Sequence, residues 1–287
     1  MNIRAAVFFT FVTAASAFTL TASYAGPPAA KPAGSASAPR ASASAAPSSG
    51  DAGAIPVPGN MVRVPGDTFM MGTSAGDADE GPVHSATVAT FDVDTTEVTV
   101  AAYKACAAAA ACTDADEDKD GAQDACTWSK HRGDLPITCV SFAQAEAFCK
   151  WAGKRMPTEE EWEFAARGTD GRLYPWGNDA PTDEPCWSGI PRPDNRAVRT
   201  CTVASHPKDK SPFGVLDLAG NVQEWTASPY CNYASKRCQS PDLYRVKRGA
   251  DHYATVASDV RATKRIMQAV QWGYQDVGFR CAKSVTP

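Results

Sequence analysis

Cysteine is the residue type that most constrains the chemistry of this sequence, because the chain contains ten of them. Thiols either pair as disulfides in an oxidising compartment or bind a metal as thiolates. A zinc site needs tight Cys-x-x-Cys or His-x-His clusters, and the sequence has none. The even count therefore favours up to five disulfides, formed among Cys106, Cys112, Cys126, Cys139, Cys149, Cys186, Cys201, Cys231, Cys238 and Cys281.

An acidic stretch offers a second kind of chemistry. Asp116, Asp118 and Asp120 alternate along the chain and precede Gly121, as at the start of an EF-hand calcium loop. The twelfth position of such a loop is Thr127 instead of a bidentate glutamate. We therefore interpret the stretch as a solvated acidic loop, with calcium binding by the three aspartates as the alternative.

The sequence lacks the motifs of several common classes of enzyme. The sequence has no Gly-x-Ser-x-Gly elbow, no phosphate-binding glycine loop and no His-Glu-x-x-His zinc motif. Its net charge is −4, and acids and bases are mixed along the chain, so nothing indicates binding to nucleic acid or to an anionic membrane.

The N-terminal segment predicts export. Arg4 precedes an apolar run, and Ser23 and Ala25 supply the small residues of a cleavage site, so residues 1–25 form a predicted signal peptide. The alternative is an uncleaved membrane anchor, which is the one membrane association we expect. Residues 26–54 are almost only Ala, Ser, Pro and Gly and form a predicted disordered linker. Residues 55–287 form the predicted domain, and its expected location is periplasmic or extracellular.

The domain begins with strand patterns and continues with capped helices. Residues 61–72 form two apolar strands around a Pro-Gly turn, and residues near Phe91 alternate as in a half-buried strand. Thr99 can cap a short helix. Ser141 and Thr158 each begin a capping box, which predicts a helix after each of them. Beyond Gly168 the chain is rich in turns, so we expect a single α+β domain with little regular secondary structure.

Four segments, in this order along the chain, resemble the formylglycine-generating enzyme (sulfatase-modifying factor) family. Their sequences are VPGDTFMMG, WAGKRMPTEEEWE with AARG, GVLDLAGNVQEWT and GFRCA, at residues 64–72, 151–168, 214–226 and 278–282. The resemblance implies a fold similar to C-type lectins. Active members of the family use copper(I) and O2 to oxidise a sulfatase cysteine to formylglycine.

The family's copper-binding cysteines are absent from this sequence. Aligned on Arg248-Gly249, their positions fall on Ala254 and Asp259, and no cysteine lies between Cys238 and Cys281. Because copper(I) prefers thiolate ligands, we do not expect copper here. A second family disulfide is also missing at both ends, where Ala166 and Lys264 stand.

The resemblance also implies cysteine pairing and a structural calcium ion. Cys149 and Cys281 match a family disulfide. The other eight cysteines fall into neighbouring pairs along the sequence, but proximity alone leaves their connectivity open, since eight cysteines allow 105 pairings. The alternative is that Cys231 and Cys238 are reduced and form a copper or redox site. The predicted calcium ligands are side-chain carboxylates and backbone carbonyls, which suit a hard cation, from Asp217, Gly220, Val222 and Glu224. The alternative is that Asp217 caps a turn and Glu224 faces water.

Three functions follow as hypotheses. The first is a non-catalytic binding or structural module with a protein, peptide or glycan ligand. Its candidate groove lies where the family has its active site, at His252, Tyr253, Asp259 and Arg261. The second is a formylglycine-generating oxidase that uses other ligands. The third is a calcium-dependent, lectin-like binder.

Overall fold

The strands of this protein form three small sheets. A computed structural model of the chain describes residues 60–115, 126–130, 132–190 and 199–285. Within these residues the sheet orders are β1-β4-β9, β2-β3 and β7-β6-β5-β8. The strands are β1 (Met61–Val64), β2 (Asp67–Met71), β3 (His84–Val88), β4 (Phe91–Asp94), β5 (Gln223–Pro229), β6 (Tyr244–Arg248), β7 (Arg265–Ala269), β8 (Val277–Gly278) and β9 (Ala282–Ser284).

Three α-helices begin at side-chain caps, as the sequence predicts. In α1 (Val100–Ala108) the Thr99 hydroxyl accepts a hydrogen bond from the backbone N–H of Ala102. Full capping boxes start α2 (Phe142–Trp151) and α3 (Glu159–Arg167). A short 3-10 helix spans Ala78–Glu80. Each cap satisfies backbone N–H groups that have no partner within the helix, which fixes where the helix begins.

The helices and sheets share a buried apolar core. Trp162 of α3 and Trp225 of β5 are fully buried. One cluster packs α1 and α2 around Tyr103, Phe148 and Phe279, whose rings contact one another. Between Gly168 and β5 the described chain contains neither helix nor strand, which matches the turn-rich pattern of the sequence.

Five disulfides close loops of this irregular fold. They join the same pairs that we assigned from the family resemblance and from sequence proximity, so Cys231 and Cys238 are bonded to each other. The described residues include no free cysteine. The pairs are Cys106–Cys112, Cys126–Cys139, Cys149–Cys281, Cys186–Cys201 and Cys231–Cys238.

Three predictions fall on residues outside the described ranges. These are the signal peptide at residues 1–25, the linker at residues 26–54, and the acidic loop with Asp116, Asp118 and Asp120. Within the described residues, no helix has the length and apolarity needed to cross a membrane.

Candidate functional site

A cavity of about 360 Å³ lies where three strands of the four-stranded sheet begin or end. β6 runs antiparallel to both β5 and β7, and its last residue, Arg248, pairs with Glu224 and with Arg265. The start of β5, the end of β6 and the start of β7 therefore meet at this end of the sheet, and the irregular segment between β6 and β7 covers it. Its lining residues are Gln223, Ala250, Asp251, Tyr253, Ala254, Asp259, Lys264 and Ile266. We call this cavity the groove.

Both family copper-ligand positions line the groove, since Ala254 and Asp259 are among its walls. Lys264, at one end of the missing family disulfide, also lines it. The ammonium group of Lys264 forms an ion pair with Asp77 and lies 4.0 Å from the carboxylate of Asp259. The groove therefore presents charged and polar groups where the resemblance implies thiolates.

The four residues predicted for the groove lie in different places. Tyr253 and Asp259 line it, and the Tyr253 side chain is exposed. His252 is buried beside Tyr253, with the ring centroids 4.1 Å apart. Arg261 points elsewhere and donates a hydrogen bond to the carboxylate of Glu80 at 2.6 Å. Only two of the four side chains therefore form the groove wall.

Asp251 is a groove residue that sequence reasoning missed. Its carboxylate accepts a hydrogen bond from the backbone N–H of Tyr253 at 2.8 Å. Burial, followed by the nearby charge of Asp276, raises the pKa of Asp251 to about 6, while Lys247 opposes the shift. Lys247 is itself 3.6 Å from Asp276, and burial lowers its pKa. The signal in the sequence was the acid that follows Arg248-Gly-Ala directly.

A second feature is a set of buried carboxylates beneath the predicted calcium loop. Glu97 is 2% exposed, and among the described residues its carboxyl oxygens meet no donor other than the neighbouring carboxyl group of Asp217. Asp209 is 1% exposed, and its Oδ1 also has none. Burial and the neighbouring charge of Asp217 raise the pKa of both carboxyl groups well above the usual range. We call Glu97, Asp209 and Asp217 the acidic cluster.

The two predicted calcium-binding carboxylates have different surroundings. Asp217 adopts a left-handed backbone conformation, and its Oδ2 accepts a hydrogen bond from the N–H of Ala204 at 2.6 Å. Glu224 is 1% exposed, so the alternative that it faces water is wrong. Its oxygens accept hydrogen bonds from Arg280 at 2.7 and 2.8 Å and from the Trp162 indole at 2.7 Å.

The charge balance of this region fits a bound cation. Arg280 is fully buried and pairs directly with Glu224. The positive charge of Arg280 also lowers the pKa of each of the three carboxyl groups in the acidic cluster. A single guanidinium group cannot neutralise Glu224 and the three acids of the cluster at once. Buried carboxylates without partners are costly unless they are protonated or hold a cation. Sequence reasoning missed Glu97 and Asp209, because neither lies near the calcium-loop motif in the chain.

One further group of potential metal ligands occurs among the described residues. The sulfur atoms of Cys186 and Cys201 and a ring nitrogen of His206 lie within 4.8 Å of one another. Both sulfurs are joined in a disulfide, so in this state neither is a thiolate. The segment that carries Cys186 lies beside the groove. Two residues after Cys186, the N–H of Ser188 donates a hydrogen bond to the carbonyl of the groove residue Ala254 at 2.9 Å.

Comparisons with known proteins bear on these observations. Residues 49–285 match the profile of the sulfatase-modifying factor enzyme 1-like domain. The inactive C-alpha-formylglycine-generating enzyme 2 of Bos taurus is 33% identical over 270 residues, covering 78% of this chain and 87% of that protein. The formylglycine-generating enzyme of Streptomyces coelicolor is 30% identical over 278 residues, covering 77% of this chain and 88% of that protein.

A solved structure supports the fold assignment. PvdO from Pseudomonas aeruginosa superposes with a TM-score of 0.64 at 24% identity, covering 80% of this chain and 96% of that one. At that identity the likeness concerns the fold alone. The expected α+β, disulfide-rich fold of the C-type-lectin-like class is confirmed, and so is the resemblance stated from the four sequence segments.

Proposed function

We propose that this chain, which belongs to the family of sulfatase-modifying factor enzyme 1-like domains, is an exported ligand-binding module without copper-dependent oxidase activity. The observation that carries the proposal is the groove. It is an open cavity of about 360 Å³ whose walls combine charged and apolar side chains. Ligand sites are concave and are lined by apolar side chains with a few polar groups, so this groove suits a ligand.

Copper(I) does not fit the residues of this groove. Ala254 has no donor atom, and Asp259 offers a hard carboxylate where a soft thiolate is required. A relative of this chain carries the name of an inactive formylglycine-generating enzyme, which agrees with a non-catalytic role.

Calcium is the cation that we propose for the region of the acidic cluster. Asp217 would supply a carboxylate ligand, and Gly220 and Val222 would supply backbone carbonyls. Both oxygens of Glu224 are held by Arg280, so this predicted ligand does not fit the site. The buried carboxyl oxygens of Glu97 and Asp209 support the proposal, because a divalent cation would offset their buried negative charge. The ion would hold the loop before β5 in place.

Export of the chain is supported by the five disulfides, which persist in oxidising compartments and are rare in the cytosol. Non-reducing peptide mapping of the protein purified from its native cell fraction tests this part of the proposal. We expect all five bridges in the secreted or periplasmic fraction. Reduced cysteines throughout a cytosolic pool would overturn it.

Binding is tested by incubating the full chain on peptide and glycan arrays, with Tyr253→Ala as the groove variant. The control is Leu243→Ala, which removes an exposed apolar side chain that does not line the groove. We expect retention that the groove variant loses and the control keeps. Retention unchanged by Tyr253→Ala, or no retention at all, would overturn the proposed binding role.

A second candidate is an oxidase that uses other ligands, and the group of Cys186, Cys201 and His206 favours it. This alternative requires a reduced Cys186–Cys201 pair. The discriminating experiment measures copper stoichiometry and O2-dependent oxidation of a sulfatase-motif peptide by the reduced and the oxidised protein. Any turnover of the peptide thiol to an aldehyde defeats the non-catalytic proposal.

A further inference from the structure

One edge of β3 has no neighbouring strand. β3 pairs with β2 alone, through five consecutive residue pairs that run from Met71 with His84 to Asp67 with Val88. An antiparallel ladder uses the N–H and C=O groups of alternate residues, so the intervening residues of β3 direct theirs away from β2. Within the described chain, no backbone group outside the ladder forms a hydrogen bond with the backbone of residues 84–88. This edge therefore keeps unused donors and acceptors.

A second cavity, of about 430 Å³, follows this edge. Its lining includes all six residues of the segment 84–89. Successive side chains of a strand point to opposite faces of the sheet, so six consecutive residues border one cavity only along the edge of the strand. We call this cavity the edge groove. Its far wall is formed by the start of α3 and by a residue of the segment before β6, namely Thr158, Glu160, Glu161 and Lys236.

β3 lacks the features that usually protect a free edge from pairing. Natural sheets protect their edges with charged side chains, prolines, bulges or very short strands. The sequence of β3 is HSATV, without proline, acid, lysine or arginine, and its register with β2 has no bulge. β8, another edge strand, has only two residues. The other edge strands among the described residues each carry a charged side chain, from Arg63, Asp67, Arg265 and Lys283.

The far wall favours a single extended chain as the occupant of the edge groove. Neighbouring strands of a sheet lie about 4.8 Å apart, so one peptide strand fits between β3 and this wall. The β3 strand of a second copy of the protein would bring its own β2 behind it, into the space of the start of α3 and Lys236. A peptide has no second strand behind it, so a peptide fits where a second copy collides.

Two charges on the far wall are available to a ligand. Glu161 is paired with Arg155 at 2.6 Å, whereas Glu160 and exposed Lys236 form no ion pair among the described residues. Glu160 accepts a hydrogen bond only from Ser228 there, at 3.5 Å. Both charges also line an adjoining cavity of about 290 Å³, which gives room for side chains of a bound strand. The wall is therefore complementary to a peptide that carries both an acid and a base.

We infer that the edge of β3 binds an extended peptide segment of a partner protein, which adds to the sheet as a third strand and presents an acidic side chain to Lys236 and a basic one to Glu160. Main-chain hydrogen bonds supply affinity in this mode of recognition, and side-chain contacts supply specificity. The edge groove shares no lining residue with the groove at Ala254, so this inference concerns a second site.

The test measures the binding of three peptides to the full chain by isothermal titration calorimetry. The first is acetyl-Thr-Glu-Val-Lys-Val-Glu-Thr-amide, whose sequence is the same in both directions and therefore suits a parallel or an antiparallel site. The second has glutamine in place of each charged residue. The third is the first peptide with N-methyl groups on its three central residues, which removes backbone donors and keeps the side chains.

We expect the charged peptide to bind about fivefold more tightly than the neutral one, because exposed ion pairs add modestly to affinity. The N-methylated peptide should show no detectable binding, since it cannot donate the hydrogen bonds of a ladder. No binding of the charged peptide, equal affinity of the neutral one, or unchanged affinity after N-methylation would overturn the inference.

Hydrogen exchange followed by mass spectrometry locates the bound peptide. We expect slower exchange in residues 84–89 when the charged peptide is present. Protection of residues 251–259 instead would assign the peptide to the groove, which would overturn this inference and leave the proposed function intact. Protection of residues 84–89 in a dimer that forms without peptide would assign the edge to a second copy and would also overturn it.

A pair of lysine variants tests the far wall. Lys236→Gln should weaken the charged peptide about fivefold and leave the neutral peptide unchanged. The matched control is Lys208→Gln, which alters an exposed lysine that pairs with Asp183 and lines neither cavity. Equal affinities of the two variants for the charged peptide would contradict the role of Lys236.

Discussion

The carbonyl oxygen of Asn221 is hydrogen-bonded twice to His252, at 3.0 Å from its backbone N and at 3.0 Å from its ring Nδ1. Asn221 lies between Gly220 and Val222 of the proposed calcium loop, and His252 lies between the groove residues Asp251 and Tyr253. One backbone carbonyl therefore joins the proposed cation site to the groove wall. We therefore expect the conformation of the calcium loop and the conformation of the groove wall to depend on each other.

Calcium is expected to stabilise the protein. At a free calcium concentration about 100-fold above Kd, binding adds about 2.7 kcal/mol, which raises Tm by about 5 °C or more in a domain of this size. Glu97→Gln removes a buried charge, so it should raise the Tm of the chelated protein and reduce the calcium-induced shift.

Differential scanning calorimetry with calcium or with a chelator measures both effects. The control is Glu146→Gln, which alters an exposed ion pair with Lys150. A melting temperature that responds to neither calcium nor chelator would contradict the proposed cation site.

The charge of Asp251 is expected to change within the range from pH 5 to pH 7. Burial and the nearby charge of Asp276 raise the pKa of Asp251 to about 6, so the carboxylate is mostly ionised at pH 7 and mostly protonated at pH 5. Lys247 opposes this shift.

This titration makes the stability of the protein depend on pH. Because the folded pKa of Asp251 lies above the unfolded value, its stabilising effect is complete below a pH of about 4 and is lost as the pH rises through about 6. Asp251→Asn should remove this contribution. Urea denaturation of the wild type and of this variant from pH 5 to 7.5 measures the free energy of unfolding, and the same pH dependence in both proteins would count against the assignment.

Copper binding should return when thiolates are restored to the groove. The double variant Ala254→Cys/Asp259→Cys places two thiols on the wall of one cavity, where soft copper(I) prefers them. We expect ~1 copper(I) bound per chain in competition with a copper(I) chelator.

The single variant Ala254→Cys is the matched control and should compete poorly. A thiol count of two on the oxidised double variant establishes that the native disulfides are intact. Two free thiols without copper binding would show that the positions named by alignment do not converge in the fold.

A buried ion network should dominate the stability of α3. Glu163 is fully buried between Arg167, at 2.6 Å, and Arg248, and its pKa is held below the usual range by these guanidinium groups against the effect of burial. Glu163→Gln leaves two arginines without their shared anion and should cost about 3–5 kcal/mol. Urea denaturation measures the free energy of unfolding.

Glu160→Gln, in the same helix, is the control for this measurement. Among the described residues Glu160 has a single hydrogen bond, of 3.5 Å from Ser228, and it is partly exposed, so we expect a change below about 0.5 kcal/mol. Equal effects of the two substitutions would contradict the importance of burial at Glu163.

The sequence predicted the parts of this protein that depend on local rules. The capping boxes at Ser141 and Thr158 were correct, because each is determined by hydrogen bonds within a few residues. The two strands on either side of Pro65-Gly66 were also correct, but they belong to different sheets and no turn is assigned between them. The disulfide pairs were also correct. Four of them close short loops, and Cys149–Cys281 followed from the family resemblance.

The site depended on contacts that the sequence does not display. Arg261 was expected in the groove, yet it bonds to Glu80, which precedes it by 181 residues. The helix start at Glu159 to Glu163 gave no sign that the Glu163 carboxylate is fully buried. Long-range pairing of this kind depends on which segments the fold brings together.

The sequence by itself determined the family and the Cys149–Cys281 bridge, because both can be recognised from residue identity and order. It also showed that no cysteine lies between Cys238 and Cys281. Only the tertiary structure decided that Glu97 and Asp209 join Asp217 in one buried cluster, and that Asp251 and Gln223 face a common groove. The physical reason is that burial and electrostatic coupling depend on distance in space, and these groups come from segments far apart in the chain.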